Sequence, residues 1–109
     1  NNGLMQRDFT YVQDVVDSIL KIIFSKTFNQ HEIFNIGGTG STTLNEVVSI
    51  MQEHFNVLPN IIREPFIPVY DPLKTFCNNQ KLLSYYPDLK FTSLHTGINN
   101  LIGWYNEQL

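Results

Sequence analysis

The first two extended stretches of this chain each lead almost directly into a helix-period segment, and that alternation restricts its topology most. Arg7-Asp8-Phe9-Thr10-Tyr11-Val12 is β-rich and alternates in polarity, which predicts a short strand. From about Val12 to Ser25, Val15, Val16, Ile19, Leu20, Ile22 and Ile23 recur at helical spacing. Asp14, Asp17, Ser18 and Lys21 fill the other face, which reads as the solvent side. Asp14 falls in the opening turn, where a carboxylate meets free amides and the positive end of the helix dipole.

The pattern then repeats. Residues 28–31 read as a loop, and Glu32 to Gly37 as a buried strand that stops at Gly37-Gly38. Thr39 to Thr43 reads as a turn rich in cap residues. Thr42 or Thr43 caps a second helix running to about Phe55 or Asn56, and Glu46 completes a capping box with Thr43. Asn60 to Phe66 reads as a third short strand, broken at Pro65, and Ile67 to Thr75 as a surface loop. Asn78 to Ser84 is a short helix ended by Tyr86-Pro87. Thr92 or Ser93 caps a last helix from Leu94 to about Glu107, with Leu94, Ile98, Leu101, Ile102 and Tyr105 turned inward. The order β-α-β-α-β-α-α predicts an α/β fold, a small mixed sheet of short strands with four helices. A length of 109 residues accommodates one core, so residues 1–109 are expected to form a single domain.

Charge narrows the partners. Seven Lys+Arg against ten Asp+Glu give a net charge of −3, which offers no footprint for nucleic acid or an anionic membrane. No apolar run approaches the roughly 18 residues of a membrane span, and the opening residues lack a signal-peptide pattern. Cys77 is the only cysteine, which excludes a disulfide or a multi-cysteine zinc site within one chain. It reads as a small buried hydrophobe, and its isolation points to the cytoplasm. Aromatics reach 13%, enough to fill a core or to line a surface that a larger protein covers.

Little in the chain assembles into catalytic machinery. Gly37-Gly38-Thr39-Gly40 lies between a strand and a helix, as a phosphate loop does, but Thr43 stands where a dinucleotide fingerprint needs its last glycine. No Gly-Lys-Ser/Thr follows, so the segment reads as a tight turn requiring positive φ. His31, His54 and His95 are scattered without metal-ligand spacing, and no nucleophile elbow occurs. Arg7-Asp8 at the strand start is the remaining candidate. The guanidinium can grip a phosphate bidentately with Asp8 orienting it, or the two can form an exposed ion pair of little consequence.

At this point four ordered segments resemble one family. Gln6-Arg7-Asp8-Phe9-Thr10-Tyr11-Val12-Gln13-Asp14-Val15-Val16 resembles the Arg-Asp-Phe-x-Tyr/His-Val-x-Asp-Val segment of extended short-chain dehydrogenases/reductases, the NAD-dependent nucleotide-sugar epimerases and dehydratases. Phe34-Asn35-Ile36-Gly37 with Gly38 and Gly40 resembles that family's aromatic-Asn-Ile/Leu-Gly-x-Gly segment. Lys81-Leu82-Leu83 with Tyr86-Pro87, and Gly97-Ile98 with Trp104-Tyr105, resemble its later motifs.

The resemblance implies the C-terminal, substrate-binding portion of such an enzyme. The family's N-terminal Rossmann domain, with its NAD site and Tyr-x-x-x-Lys pair, is absent from these residues. Tyr70/Lys74 and Tyr86/Lys90 match the bare spacing, but Pro72 and Pro87 keep each off a helix turn. The family's diphosphate-binding Arg corresponds to Arg7, the first candidate substrate-binding residue. Its second such Arg, in an Arg-Pro-Gly-Asp loop, is Ile67 here. The loop's Asp corresponds to Asp71, one residue further from Pro68, and Arg63 is a candidate substitute for the missing Arg. Also implied are a nucleotide-diphosphate sugar as partner, NAD only in the full-length parent, and no catalytic residue or activity in this chain alone. Separation from the Rossmann domain is expected to expose apolar surface and to favour marginal stability or self-association. The competing expectation is a degenerate, non-catalytic binding or protein-interaction module.

Overall fold

The computed structural model describes residues 2–25, 31–38, 40–55, 58–65 and 71–109. Among these residues four helices form: α1 Val12–Ser25, α2 Leu44–Phe55, α3 Gln80–Tyr85 and α4 Leu94–Glu107. Two short strands, β1 Gln6–Asp8 and β2 Ser41–Thr43, pair antiparallel with Arg7 opposite Thr42. An isolated parallel bridge joins Gln6 to Lys74 on the other side of β1, so the small sheet is mixed, as expected. The Gln6 amide donates to the Leu73 carbonyl at 2.9 Å and the Thr75 amide to the Gln6 carbonyl at 3.2 Å.

The helices lie where periodicity places them, and their caps explain why. The Thr43 amide and hydroxyl donate to Glu46 Oε2 at 2.8 and 2.7 Å, and the Glu46 amide donates back to the Thr43 hydroxyl at 3.2 Å. That reciprocal pair satisfies donors the first turn of α2 leaves open. Ser93 caps α4, accepting from the Thr96 amide at 3.2 Å. Thr43 holds the Glu46 carboxyl below the usual glutamate range, so the box contributes stability above that range and loses it as pH falls through the lowered value. Acid titration of helicity is expected to show a low-pH step that Glu46→Gln removes, read by circular dichroism.

The strands differ from expectation. β1 is shorter than residues 7–12, ending at Asp8, and its partner β2 arises within the stretch read as a turn. Residues 32–37 form no strand, and neither do 60–65; Phe66 lies outside the described residues. Glu32 and the Ile33 carbonyl instead take the Lys81 ammonium at 2.7 and 3.0 Å, and Phe34 packs edge-on against Tyr85. A buried-strand pattern needs neighbours on both sides, and Ile33 here is 83% exposed.

The largest departure is the orientation of α1. Its buried residues are Asp14 and Ser18, from the face expected to meet solvent. The apolar face looks outward, with Val12, Val16, Ile19 and Ile23 forming an exposed stripe along the helix. On α4, Ile98 is buried as expected, but Leu101 and Tyr105 are about half exposed rather than inward. Among the described residues the buried hydrophobic ones are Met5, Leu82, Tyr86 and Ile98, a sparse core. A compact 12.6 kDa protein exposes about 6,200 Å², whereas this chain exposes 8230 Å². Its radius of gyration is 16.9 Å, against about 13 Å for a compact domain of this length. Among the described residues no helix is long and apolar enough to cross a membrane.

Candidate functional site

β1 presents Arg7 and Asp8 in succession, and the alternation of a strand sends their side chains to opposite faces. Asp8 therefore does not orient Arg7, contrary to the expectation from adjacency. Arg7 Nη1 donates to the Gln6 carbonyl at 2.8 Å and to the Pro72 carbonyl at 2.9 Å. Nη2 lies 3.9 Å from Asp71 Oδ1, an ion pair too long for a direct hydrogen bond. Both protons of Nη1 are thus engaged by carbonyls. The Nε and Nη2 edge makes no hydrogen bond among the described residues, and it is the fork that meets a phosphate or carboxylate with two parallel bonds. Arg7 is partly buried and Asp71 mostly exposed, so the pair is accessible to a ligand.

The structure brings Arg7 and Asp71 together and gives Arg63 other partners. Arg63 Nη1 donates to the Asn2 carbonyl at 2.6 Å and reaches Asn45 Oδ1 at 3.4 Å, at the start of α2. Ile67, the position of the family's second Arg, lies outside the described residues, as does Tyr70. Tyr86 is buried, and its hydroxyl lies 2.8 Å from Ser25 Oγ, the place of a structural tyrosine.

Three features escaped the sequence reading. Asp8 accepts from two backbone amides, Gly38 at Oδ1 and Cys77 at Oδ2, both at 2.9 Å. Within the turn Gly40 takes the expected positive φ, 131°, whereas Gly37 and Gly38 serve close approach. A Cβ on Gly37 would lie 2.0 Å from Cys77 Cβ, and one on Gly38 would lie 2.5 Å from Asp8 Oδ1. Asp14 accepts from the Thr92 amide and hydroxyl, both at 2.7 Å, rather than from its own helix's amides. The available signal was the polar side chains in the Arg7-Asp8 and Asp14 segments, but their partners are remote in sequence.

Cys77 is half-buried in this arrangement. Burial, with the nearby Asp8 carboxylate, pushes its thiol above the usual range. At pH 7.5 its alkylation by iodoacetamide is expected to be slower than that of free cysteine, since the reactive thiolate is scarcer. A rate at or above the free-thiol rate would contradict that assignment.

A cavity of ≈ 270 Å³ lies beside the strand end, lined by residues including Phe9, Tyr11, Val12, Leu94, Ile98 and Leu101. Its walls are largely apolar, and two of them, Val12 and Leu101, also belong to the exposed faces of α1 and α4.

No family model matches the chain. The chain is 33% identical to the uncharacterized protein MJ1055 of Methanocaldococcus jannaschii, over 98% of its own length and 32% of that protein. It is 28% identical to UDP-glucuronate 4-epimerase 4 of Arabidopsis thaliana, over 96% of its own length and 26% of that protein. Among solved structures, it superposes on MoeE5 in complex with UDP-glucuronic acid and NAD with a TM-score of 0.75 and 26% identity, covering 100% of this chain and 36% of that one. UDP-glucuronic acid 4-epimerase from Bacillus cereus, also in complex with UDP-glucuronic acid and NAD, gives a TM-score of 0.75 at 22% identity, covering 91% of this chain and 31% of that one. The chain thus spans about a third or less of the length of these relatives.

Proposed function

We propose, for a chain that corresponds in sequence and fold to the C-terminal portion of an extended short-chain dehydrogenase/reductase, that it holds the diphosphate of a nucleotide sugar through Arg7. The observation that carries this reading is the Nε and Nη2 edge of Arg7, which makes no hydrogen bond among the described residues and faces Asp71 at 3.9 Å, while two carbonyls fix Nη1. A diphosphate there would receive charge-assisted bonds from a pre-positioned donor, which limits the ordering cost of binding. Asp71, a carboxylate beside that site, suits the hydroxyl groups of the same ligand, which donate where a phosphate would repel. Arg63 contributes at the edge if the ligand reaches α2.

The reaction belongs to the whole protein. In this reading a dinucleotide-binding domain outside these residues carries NAD and the Tyr-x-x-x-Lys pair, and NAD supplies the reversible hydride acceptor. This chain binds and orients the nucleotide and closes over the sugar; alone it is inactive. The outward stripe Val12, Val16, Ile19 and Ile23, with the apolar cavity beside it, supports such a neighbour. So does the 83% exposure of Ile33 in a segment with a buried-strand pattern. Without that neighbour the same faces favour self-association.

The test is incubation of the intact gene product with UDP-glucuronic acid and NAD, with chromatography of the sugar nucleotide. An epimerised or dehydrated product is expected. Binding of UDP without turnover would leave a binding module, and failure to bind UDP would overturn the reading.

A further inference from the structure

We propose that Asp8 is a positioning residue for Arg7, acting through the 71–77 segment and not through the guanidinium itself; this rests on the nucleotide-sugar reading of Arg7. Three consecutive residues of β1 attach that segment. Arg7 Nη1 takes the Pro72 carbonyl at 2.9 Å, and Asp8 Oδ2 takes the Cys77 amide at 2.9 Å. Between them, Gln6 exchanges backbone bonds with Leu73 and Thr75. The Pro72 carbonyl thus sits on a short segment pinned at its far end by Asp8. If that end drifts, the carbonyl that fixes Nη1 drifts with it, and the Nε and Nη2 edge of the guanidinium loses its aim.

The other oxygen of Asp8 shows what the pin is anchored to. Oδ1 takes the Gly38 amide at 2.9 Å, so one carboxylate ties the glycine turn to the 71–77 segment. The glycines make room for it, since a Cβ on Gly38 would lie 2.5 Å from Oδ1 and 2.7 Å from the Phe9 carbonyl. The Gly37-Gly38 turn, which looks like a phosphate loop in sequence, receives a carboxylate of its own chain. An ionised carboxylate can satisfy both amides at once, and an amide side chain can satisfy only one.

Electrostatics gives the test its sign. Asp8 is a negative charge next in sequence to an anion site, so its neutralisation alone would tighten anion binding. Positioning predicts the opposite. UDP binding to the intact gene product is to be measured by calorimetry for wild type, Asp8→Asn, Gly38→Ala, Arg7→Ala and the Arg7→Ala/Asp8→Asn pair, with melting temperatures alongside. Asp8→Asn is expected to weaken UDP binding on the order of tenfold. Gly38→Ala, which crowds the carboxylate but keeps its charge, is expected to weaken it as well. In the Arg7→Ala background Asp8→Asn is expected to add no further loss. A lower melting temperature with UDP affinity unchanged or raised in Asp8→Asn would leave Asp8 a purely structural residue and overturn the proposal. If wild type binds no UDP, or Arg7→Ala binds as wild type does, the nucleotide reading itself falls, and the role of Asp8 with it.

Discussion

Replacing Arg7 with alanine is expected to weaken UDP binding by the intact gene product about a hundredfold, roughly 3 kcal/mol, the worth of a charge-assisted two-bond contact. The loss should be specific. Arg7 donates its hydrogen bonds to two carbonyls and forms a long, partly exposed ion pair with Asp71, so its removal should lower the folding free energy by about 1 kcal/mol. Arg7→Lys separates fork from charge. Lysine keeps the charge but cannot offer two coplanar donors, so it should recover only part of the affinity. Salt supplies a second check, because wild-type affinity should fall with ionic strength more steeply than that of Arg7→Ala. Calorimetry at two salt concentrations reads both effects. An Arg7→Ala protein that binds UDP as wild type does would remove the basis of the proposed function.

What the sequence made legible follows from the range of the forces involved. Helices α1, α2 and α4 match their predicted limits to about a residue, because period, caps and the Thr43/Glu46 box are local signals. The strands were poorly legible because a strand is defined by its partner. Glu32 to Gly37 has the composition of a strand and forms none, while Ser41–Thr43 has the composition of a cap and pairs with β1. The face of α1 was misassigned for a related reason. Hydrophobic periodicity says which side wants burial, and among the described residues much of that side stays exposed. Arg7 was a candidate from its own chemistry and was raised by resemblance, Asp71 was found through resemblance alone, and their proximity is visible only in the fold. The partners of Asp8 lie 30 and 69 residues away, beyond any spacing rule.

Asp14→Ala is expected to destabilise the fold by about 3 kcal/mol, among the largest effects of any single substitution here. Asp14 is buried at the start of α1 and accepts both the amide and the hydroxyl of Thr92, immediately before the cap of α4. Alanine would leave a partly buried amide without an acceptor and release α1 from the α4 entry. Asp14→Asn is the informative comparison. Its oxygen can accept from the Thr92 amide while its NH₂ donates to the Thr92 hydroxyl, which accepts as readily as it donates. Asparagine should therefore retain most of what alanine loses, with a cost of about 1 kcal/mol for the lost charge assistance. Thr92→Val removes one donor and keeps the amide bond, so its effect should fall between the two. Combined with Asp14→Ala it should add less than its separate cost, since the bond it deletes is already gone. Urea unfolding of the four variants measures these differences. Equal losses for alanine and asparagine would mean that the charge, rather than the two-bond geometry, holds α1 in place. The orientation of α1 would then depend on its ionised partner, and the outward apolar stripe would follow from electrostatics instead of from a fixed hydrogen-bonded hinge between α1 and α4.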